Sequence, residues 1–257
     1  MLVSELMLQQ TQVARVVPKY EAFLERFATA DACARAPVGA VIEAWAGLGY
    51  NRRAVNLHRC ATAVVTHHQG DVPDVLPSLL DLPGIGPYTA RAVLAFAFDR
   101  DVGVVDTNAA RVLARWSGRP LGVREAQEIA DAMVPPGHGW AWNQAMLDLG
   151  ATVCRPVDPA CGTCPCQEAC RWYTAGRPDP DPVVGTAGTG ERQSTFVGSD
   201  RQGRGALVDA LRRAPVSASA LAATMGWPAD ASRAARVAAT VVADGLAVFE
   251  HGEYRLP

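Results

Sequence analysis

Lysine is almost missing from these 257 residues: Lys19 is the only one, and every other cationic side chain is arginine or histidine. A Schiff-base nucleophile needs an amine that can lose its proton, which a guanidinium cannot supply. Only Lys19 and the N-terminal amine meet that requirement. Apolar runs of membrane-spanning length are absent too. The opening Met1-Leu2-Val3-Ser4-Glu5 has no basic region of the kind that starts a signal peptide. The expectation is a cytoplasmic protein with no membrane partner. A net charge of −2 gives the chain no general attraction for nucleic acid. Charged residues are few, 19% against 49% hydrophobic, which describes a globular chain with room for one large domain or two modest ones.

Charge is uneven locally. Arg52, Arg53 and Arg59 lie in a stretch from Trp45 to Cys60 that holds no acid, and Arg111, Arg115, Arg119 and Arg124 follow Asp106 with no acid among them. Each group reads either as an ordinary solvated face or as a footprint on phosphates.

Between these stretches lies Leu79-Leu80-Asp81-Leu82-Pro83-Gly84-Ile85-Gly86-Pro87-Tyr88-Thr89-Ala90. Leu79, Leu82 and Ile85 recur every three residues, as in a short apolar helix turning a corner. Gly84 and Gly86 allow torsions that a side chain would forbid. Pro87 suits the first turn of a following helix, Thr89 to Phe98. A helix, a Gly-x-Gly turn and a second helix N-terminus together form a nest for a phosphate oxygen. Asp106 follows Tyr88 by eighteen residues. Leu-Pro-Gly-Ile-Gly-x-x-Thr-Ala followed by that aspartate resembles the helix-hairpin-helix DNA glycosylases.

The string Ser4-Glu5-Leu6-Met7-Leu8-Gln9-Gln10-Thr11-Gln12-Val13 narrows the resemblance to the adenine DNA glycosylases (the MutY family). That likeness implies that Glu5 protonates the adenine, that Gln10 enters the base stack with Thr11 beside it, and that Asp106 is the catalytic aspartate. By residue pattern alone, Thr11 also reads as the N-cap of a helix from Val13 to Phe27. Gly47-Leu48-Gly49-Tyr50 resembles the family's wedge, so Tyr50 is expected beside the base opposite the adenine, with Arg53, Gly84 and Gly86 on the DNA. Asn51 stands where the family often has a second aromatic. Tyr88 occupies the slot that holds the attacking lysine in endonuclease-III-type enzymes, which implies base removal without strand cleavage. Asn108 is expected to orient the catalytic groups with Tyr88, although Thr107 departs from the family's glycine.

Cys154, Cys161, Cys164 and Cys170 form C-x6-C-x2-C-x5-C. Spacing alone permits either a four-thiolate zinc site or a [4Fe–4S] cluster. The resemblance implies the cluster, with Cys166 as an extra thiol; Cys33 and Cys60 sit in helical patterns and read as core.

After a Pro- and Gly-rich stretch come three short helical patterns, Gly205 to Arg213, Ser217 to Met225 and Ser232 to Leu246. An alternating run, Val248 to Leu256, then turns at His251-Gly252. Three helices and a β-hairpin make a winged-helix-like module, not the Nudix-like domain of well-studied adenine glycosylases. The expected fold is mostly α: a helix-hairpin-helix glycosylase with a helical barrel, a cluster subdomain and this module. The implied boundaries are 1–102 for the barrel part with its hairpin, 103–173 for the cluster part, 174–195 for a linker and 196–257 for the module.

The expected protein is a monomer acting on double-stranded DNA at the nucleoid, removing adenine opposite 8-oxoguanine or guanine. Two alternatives stand beside it. One is a glycosylase for T or U opposite G, and the other is a catalytically weak cluster-bearing DNA-binding protein. The last arises because the family has about one helix and a Leu-Pro-Trp-like segment before the glutamate, where only four residues precede Glu5.

Overall fold

Helical periodicity runs through most of the chain, and the computed structural model, which describes residues 1–188 and 195–257, is mostly helical. In chain order the helices are α1 (Leu2–Leu8), α2 (Val13–Arg26), α3 (Ala30–Arg35), α4 (Val38–Ala44), α5 (Arg52–His68), α6 (Leu76–Leu80), α7 (Pro87–Ala97), α8 (Thr107–Ser117), α9 (Val123–Met133), α10 (Gly139–Asp148), α11 (Arg171–Thr174), α12 (Asp200–Leu211), α13 (Leu221–Thr224) and α14 (Ala231–Ala243). Three short strands, β1 (Val216–Ser217), β2 (Val248–Glu250) and β3 (Glu253–Arg255), complete the C-terminal part.

Two compact units form, and they do not follow chain order. One comprises residues 2–73, 77–85 and 195–257; the other comprises 74–76 and 86–188 with Met1. Helix α7, placed with the barrel by sequence, therefore belongs to the unit of α8 to α11, and the C-terminal module belongs with α1 to α5.

In the first unit the apolar faces of α1, α2, α4 and α5 bury Leu6, Met7, Phe23, Ile42, Trp45 and Leu57. Trp45 is completely enclosed and meets Phe23 edge-on at 6.5 Å between ring centres. Its indole N–H donates to the Gly49 carbonyl at 3.2 Å, which satisfies the one polar atom that burial would otherwise strand.

The C-terminal module has the first and third expected helices and the hairpin, but the second expected helix, Ser217 to Met225, shrinks to α13, because Val216–Ser217 pair with β3 as a third strand. Leu207, Val208, Leu221, Met225, Val237 and Val241 supply its core. Its antiparallel sheet runs β1-β3-β2, with Phe249 opposite Tyr254. The turn falls at His251 (φ 53°) and Gly252 (φ 81°), the paired positive torsions that a two-residue hairpin needs. Trp227 lies across Gly203 of α12, where any side chain would collide with the ring, and the Arg233 guanidinium stacks on that ring at 4.0 Å from its centre.

In the second unit Leu113, Ala114, Leu121, Ala126 and Ala130 form the core between α8 and α9. The C-terminal end of this unit departs from expectation. Residues 178–188, read as linker, are tied down: the Trp172 indole donates to the Pro178 carbonyl (2.9 Å), Asp181 pairs with Arg115 (2.7 Å), and Ala187 N–H donates to the Leu121 carbonyl (3.0 Å). Proline content there reflects an irregular packed strap. Residues 189–194 of the expected linker lie outside the described residues.

Candidate active site

The hairpin forms as its pattern requires. Leu79, Leu82 and Ile85 are all buried, and Pro87 is the first residue of α7. The two glycines differ. Gly84 has φ +81°, and a Cβ there would lie 2.7 Å from the Asn56 Cβ. Gly86 has φ −94°, which any residue adopts, and a Cβ there would meet open space. Only Gly84 is demanded by the fold, which corrects the expectation for both. Gly84→Ala should cost about 1–2 kcal/mol for the left-handed backbone and about 1–3 kcal/mol for displacing Asn56. Gly86→Ala should leave the denaturation midpoint where it is, so any loss of DNA binding in that variant reports on the surface alone.

Glu5, Gln10, Thr11, Tyr50 and Arg53 come together in the first unit. Glu5 is buried on α1 with 9% of its surface exposed, and burial pushes its carboxyl above the usual carboxylate range. Helix α1 is only seven residues long, so its last carbonyls need outside partners. Arg53 supplies them. One terminal nitrogen donates to the carbonyls of Leu6 (2.8 Å), Met7 (2.9 Å) and Gln9 (2.6 Å). The other donates to Thr11 Oγ1 (2.9 Å) and to the carbonyls of Gly49 (3.1 Å) and Leu48 (3.3 Å). Expected on DNA, Arg53 is buried, with both terminal nitrogens directed into the protein.

The same contacts move Thr11 from its expected capping role. Gln12 occupies the N-cap of α2, while the Thr11 hydroxyl donates to the Leu48 carbonyl at 3.3 Å. Thr11 thus ties the Gln9–Thr11 turn to the Leu48–Tyr50 turn. Gln10 (φ 56°) and Tyr50 (φ 45°) both hold left-handed backbone that side chains other than glycine seldom adopt. Both are exposed, Tyr50 by 45%. Strain held in place beneath exposed side chains is characteristic of binding loops.

Asp106, Asn108 and Tyr88 belong to the second unit. Asp106 is the N-cap of α8: one carboxylate oxygen accepts the Ala109 N–H (2.7 Å), and the other accepts from the Asn108 amide (2.9 Å). Arg111, 3% exposed, donates to the Asn108 side-chain oxygen (2.8 Å) and to the carbonyls of Gly150 (2.6 Å) and Cys154 (2.6 Å). A continuous line of hydrogen bonds therefore joins the aspartate to the start of the cysteine loop. Gly150 makes this approach possible, since a Cβ there would sit 2.7 Å from the Asn108 Cβ. Tyr88 is half-buried and packs with Phe96 and Val102 against Ala92, Ala95 and Val104.

Cys154, Cys161, Cys164, Cys166 and Cys170 line one cavity of about 70 Å³, walled by residues including Trp116, Trp142 and Met146. A single water needs roughly 10–15 Å³, so the space has room for more than one atom. Among the described residues, no three His, Cys, Asp or Glu side chains converge as the ligands of a single ion would. Arg115, 2% exposed, reaches Cys154 Sγ at 3.4 Å, pairs with Asp181, donates to the Arg155 carbonyl (2.7 Å), and stacks on Trp172. Arg111 and Arg115 are therefore scaffold for the cysteine loop. Arg119 and Arg124 pair on the surface with Glu125 and Glu128. Sequence reasoning missed the Asp106 cap and the inward arginines. The first had a local signal, an aspartate directly before a helical pattern; the second had none.

A family model, the HhH-GPD superfamily of base excision DNA repair proteins, matches residues 3–136. An adenine DNA glycosylase of Mycolicibacterium smegmatis is 41% identical over 250 residues, covering 95% of this chain and 82% of that protein.

The chain belongs to the adenine DNA glycosylase family of that superfamily.

The human adenine DNA glycosylase is 41% identical over 176 residues, covering 66% of this chain and 32% of the human protein. Among solved structures, a thermostable thymine-DNA glycosylase superposes with a TM-score of 0.65 at 29% identity, over 68% of this chain and 83% of that one. An endonuclease III structure in a non-covalent DNA complex has the same fold, with a TM-score of 0.59 at 23% identity over 68% of this chain and 83% of that one. As a member of this family the chain is a base-excision-repair glycosylase. Among the described residues, no helix is long and apolar enough to cross a membrane.

Proposed function

We propose that this glycosylase acts as a monomer, that it removes adenine lying opposite 8-oxoguanine or guanine in duplex DNA, and that it hydrolyses the N-glycosidic bond without cutting the strand. The observation that carries the reading is the buried Glu5 carboxyl, held above the ordinary carboxylate range, in a chain 41% identical to an adenine DNA glycosylase. Neutral adenine is a poor leaving group. A carboxyl that keeps its proton in a desolvated site can donate it to N7, so the base departs neutral as the C1′–N9 bond breaks. The sugar becomes cation-like, and a nearby carboxylate lowers the cost of that charge. Asp106 has this role, with its oxygens oriented by the Ala109 N–H and Asn108. Water adds its oxygen to C1′ and releases a proton, leaving an abasic site. Two carboxyl groups with opposed roles follow the same logic as in glycoside hydrolysis.

Strand cleavage would require an amine attacking C1′. Tyr88 stands in the hairpin position where that lysine would be, and the only lysine is Lys19 on α2. Gln10 and Tyr50 are the residues that enter the base stack when adenine leaves it.

Cys154, Cys161, Cys164 and Cys170 would hold a [4Fe–4S] cluster. Such a group would supply covalent ties that fix the loop, and Arg111 and Asn108 would carry that order to the Asp106 carboxylate. Cys164→Ser should lower iron per chain to near zero and reduce thermal stability, whereas Cys166→Ser should keep full iron content. Colorimetric iron assay and melting curves check both.

The test of the function is single-turnover base release from duplexes carrying A opposite 8-oxoguanine, A opposite G, T opposite G and U opposite G. Adenine release that leaves a strand cut only after alkali is expected. Release of T or U but not A would reject the adenine reading, and cutting without alkali would reject the monofunctional one.

A further inference from the structure

Asp101-Val102-Gly103-Val104-Val105-Asp106 forms an extended run that delivers Asp106 to the start of α8. Val104 clusters with Ala92 and Ala95 of α7, and Val102 packs against them, while Val105 packs on the core between α8 and α9. Gly103 faces Ala130 of α9, where a Cβ would come within 2.6 Å of the Ala130 carbonyl carbon. Among the described residues no strand pairs with this run. Its buried N–H and C=O groups therefore need partners other than a sheet.

Side chains supply them. Asn143 of α10 is 2% exposed. Its Nδ2 donates to the Val102 carbonyl (2.8 Å) and to the Gly139 carbonyl one turn back (2.7 Å), and its Oδ1 accepts the Val104 N–H (2.7 Å). Because the Val104 N–H can only donate, the orientation of the amide is fixed. An amide that donates to the residue before Gly103 and accepts from the one after it takes the place of a neighbouring parallel strand's peptide group. Gly103 itself is held from α9: its N–H donates to Asp131 (2.8 Å), and its carbonyl accepts from Gln127 (3.0 Å). Asp131 also pairs with Arg91 of α7 at 2.6 Å. Helices α7, α9 and α10 thus clamp the run two residues ahead of Asp106.

The bonds that Asp106 makes with the Ala109 N–H and Asn108 orient its carboxylate relative to α8. Where that carboxylate stands relative to α7 depends on the run from Val102 to Val105. We infer that Asn143 is a positioning residue for base removal: standing in for a missing strand, it fixes the register of Val102–Val104 and, through it, the place of the Asp106 carboxylate. The reaction it serves rests on the glycosylase reading above.

The test uses the cluster-loaded full chain carrying Asn143→Leu, which keeps a similar volume and removes all of these amide hydrogen bonds. Asn143→Ser takes its place should the leucine variant fold poorly. Single-turnover base release is followed as protein concentration is raised to saturation. The rate constant at saturation should fall about 10–100-fold, the scale of loss when a reacting group is misplaced by about 1 Å. The protein concentration giving half that rate should stay within about twofold of the parent's, because ground-state binding of the duplex is untouched. Amide hydrogen exchange over residues 102–106 should quicken, while the interiors of α7 and α8 keep the parent's protection. A saturated rate equal to the parent's would overturn the inference. So would a loss confined to half-saturation, or a slower rate with exchange over 102–106 unchanged. The rate is read on whichever of the four duplexes loses its base. Release of T or U would refute the adenine reading and still decide this one, and no release by the parent from any duplex would overturn both.

Discussion

Arg53→Ala should lower the unfolding free energy by about 3–5 kcal/mol, among the largest single-residue losses available to this chain. Six acceptors converge on its two terminal nitrogens, at 2.6–3.3 Å, and five of them are backbone carbonyls. Truncation strands the buried Leu6 and Met7 carbonyls, while those of Gln9, Leu48 and Gly49 keep donors in Thr11 and Trp45, and each buried orphan costs about 1–3 kcal/mol before relaxation or water entry. The guanidinium also stacks against Trp45 and Tyr50, at 5.4 and 5.5 Å from their ring centres, so packing is lost together with charge. Burial draws its pKa down to about 10, which leaves it fully protonated at neutral pH. Arg53→Lys keeps the charge but replaces two forked nitrogens by one, which cannot reach both turns at once. An intermediate loss is expected from it. Urea denaturation of the three proteins checks the order, and an alanine variant as stable as the parent would refute this account of how α1 ends.

Glu5→Gln should slow adenine release by about 10²–10⁴-fold, the range that a positioned general acid contributes. The amide has nearly the same shape and can still accept a hydrogen bond, but it has no proton of suitable acidity for N7. Duplex binding should survive. The stability of the two proteins should separate with pH in a defined sense. The Glu5 carboxyl titrates higher in the folded protein than in the unfolded chain, because burial penalises its anion. Its contribution is therefore full below the unfolded carboxylate value and is lost as pH rises through the raised folded value. Melting temperatures of the parent should fall relative to Glu5→Gln across that window and run parallel on either side. The parent's release rate should decline over the same raised titration as the acid form empties. A parent and variant whose melting curves stay parallel from acid to neutral pH would mean that Glu5 is not desolvated as described.

Much of the architecture is legible from local pattern, for a physical reason. Helices α2, α5, α7 and α8 follow apolar spacings within one or two turns, and the hairpins follow residues whose torsions are chemically marked, Gly84 in one and His251-Gly252 in the other. In the C-terminal module α12, α14 and the hairpin could be read the same way, but not β1, a two-residue strand defined only by its pairing with β3. The four spaced cysteines line one cavity, which Cys166 also lines. These features depend on short-range sterics and on which side of an element is apolar, and both are written in neighbouring residues.

The arginines could not be read that way. A guanidinium is charged wherever it sits, so Arg53, Arg111 and Arg115 look like Arg52 and Arg124 along the chain. What separates them is distance in sequence: Arg53 meets carbonyls 44 to 47 residues away at α1, Arg111 meets the Cys154 carbonyl 43 residues on, and Arg115 meets Asp181 66 residues on. Only when the chain returns does an acid-free stretch become either a phosphate surface or an internal cap for orphaned carbonyls. The same holds for 178–188, whose prolines mark irregular backbone but cannot say whether Arg115 waits to receive Asp181. Residue types and their local spacing determined the family, the hairpin and the candidate acid. Tertiary structure alone decided which cations face the solvent and which hold the fold, because that choice is made by partners the local chain does not contain.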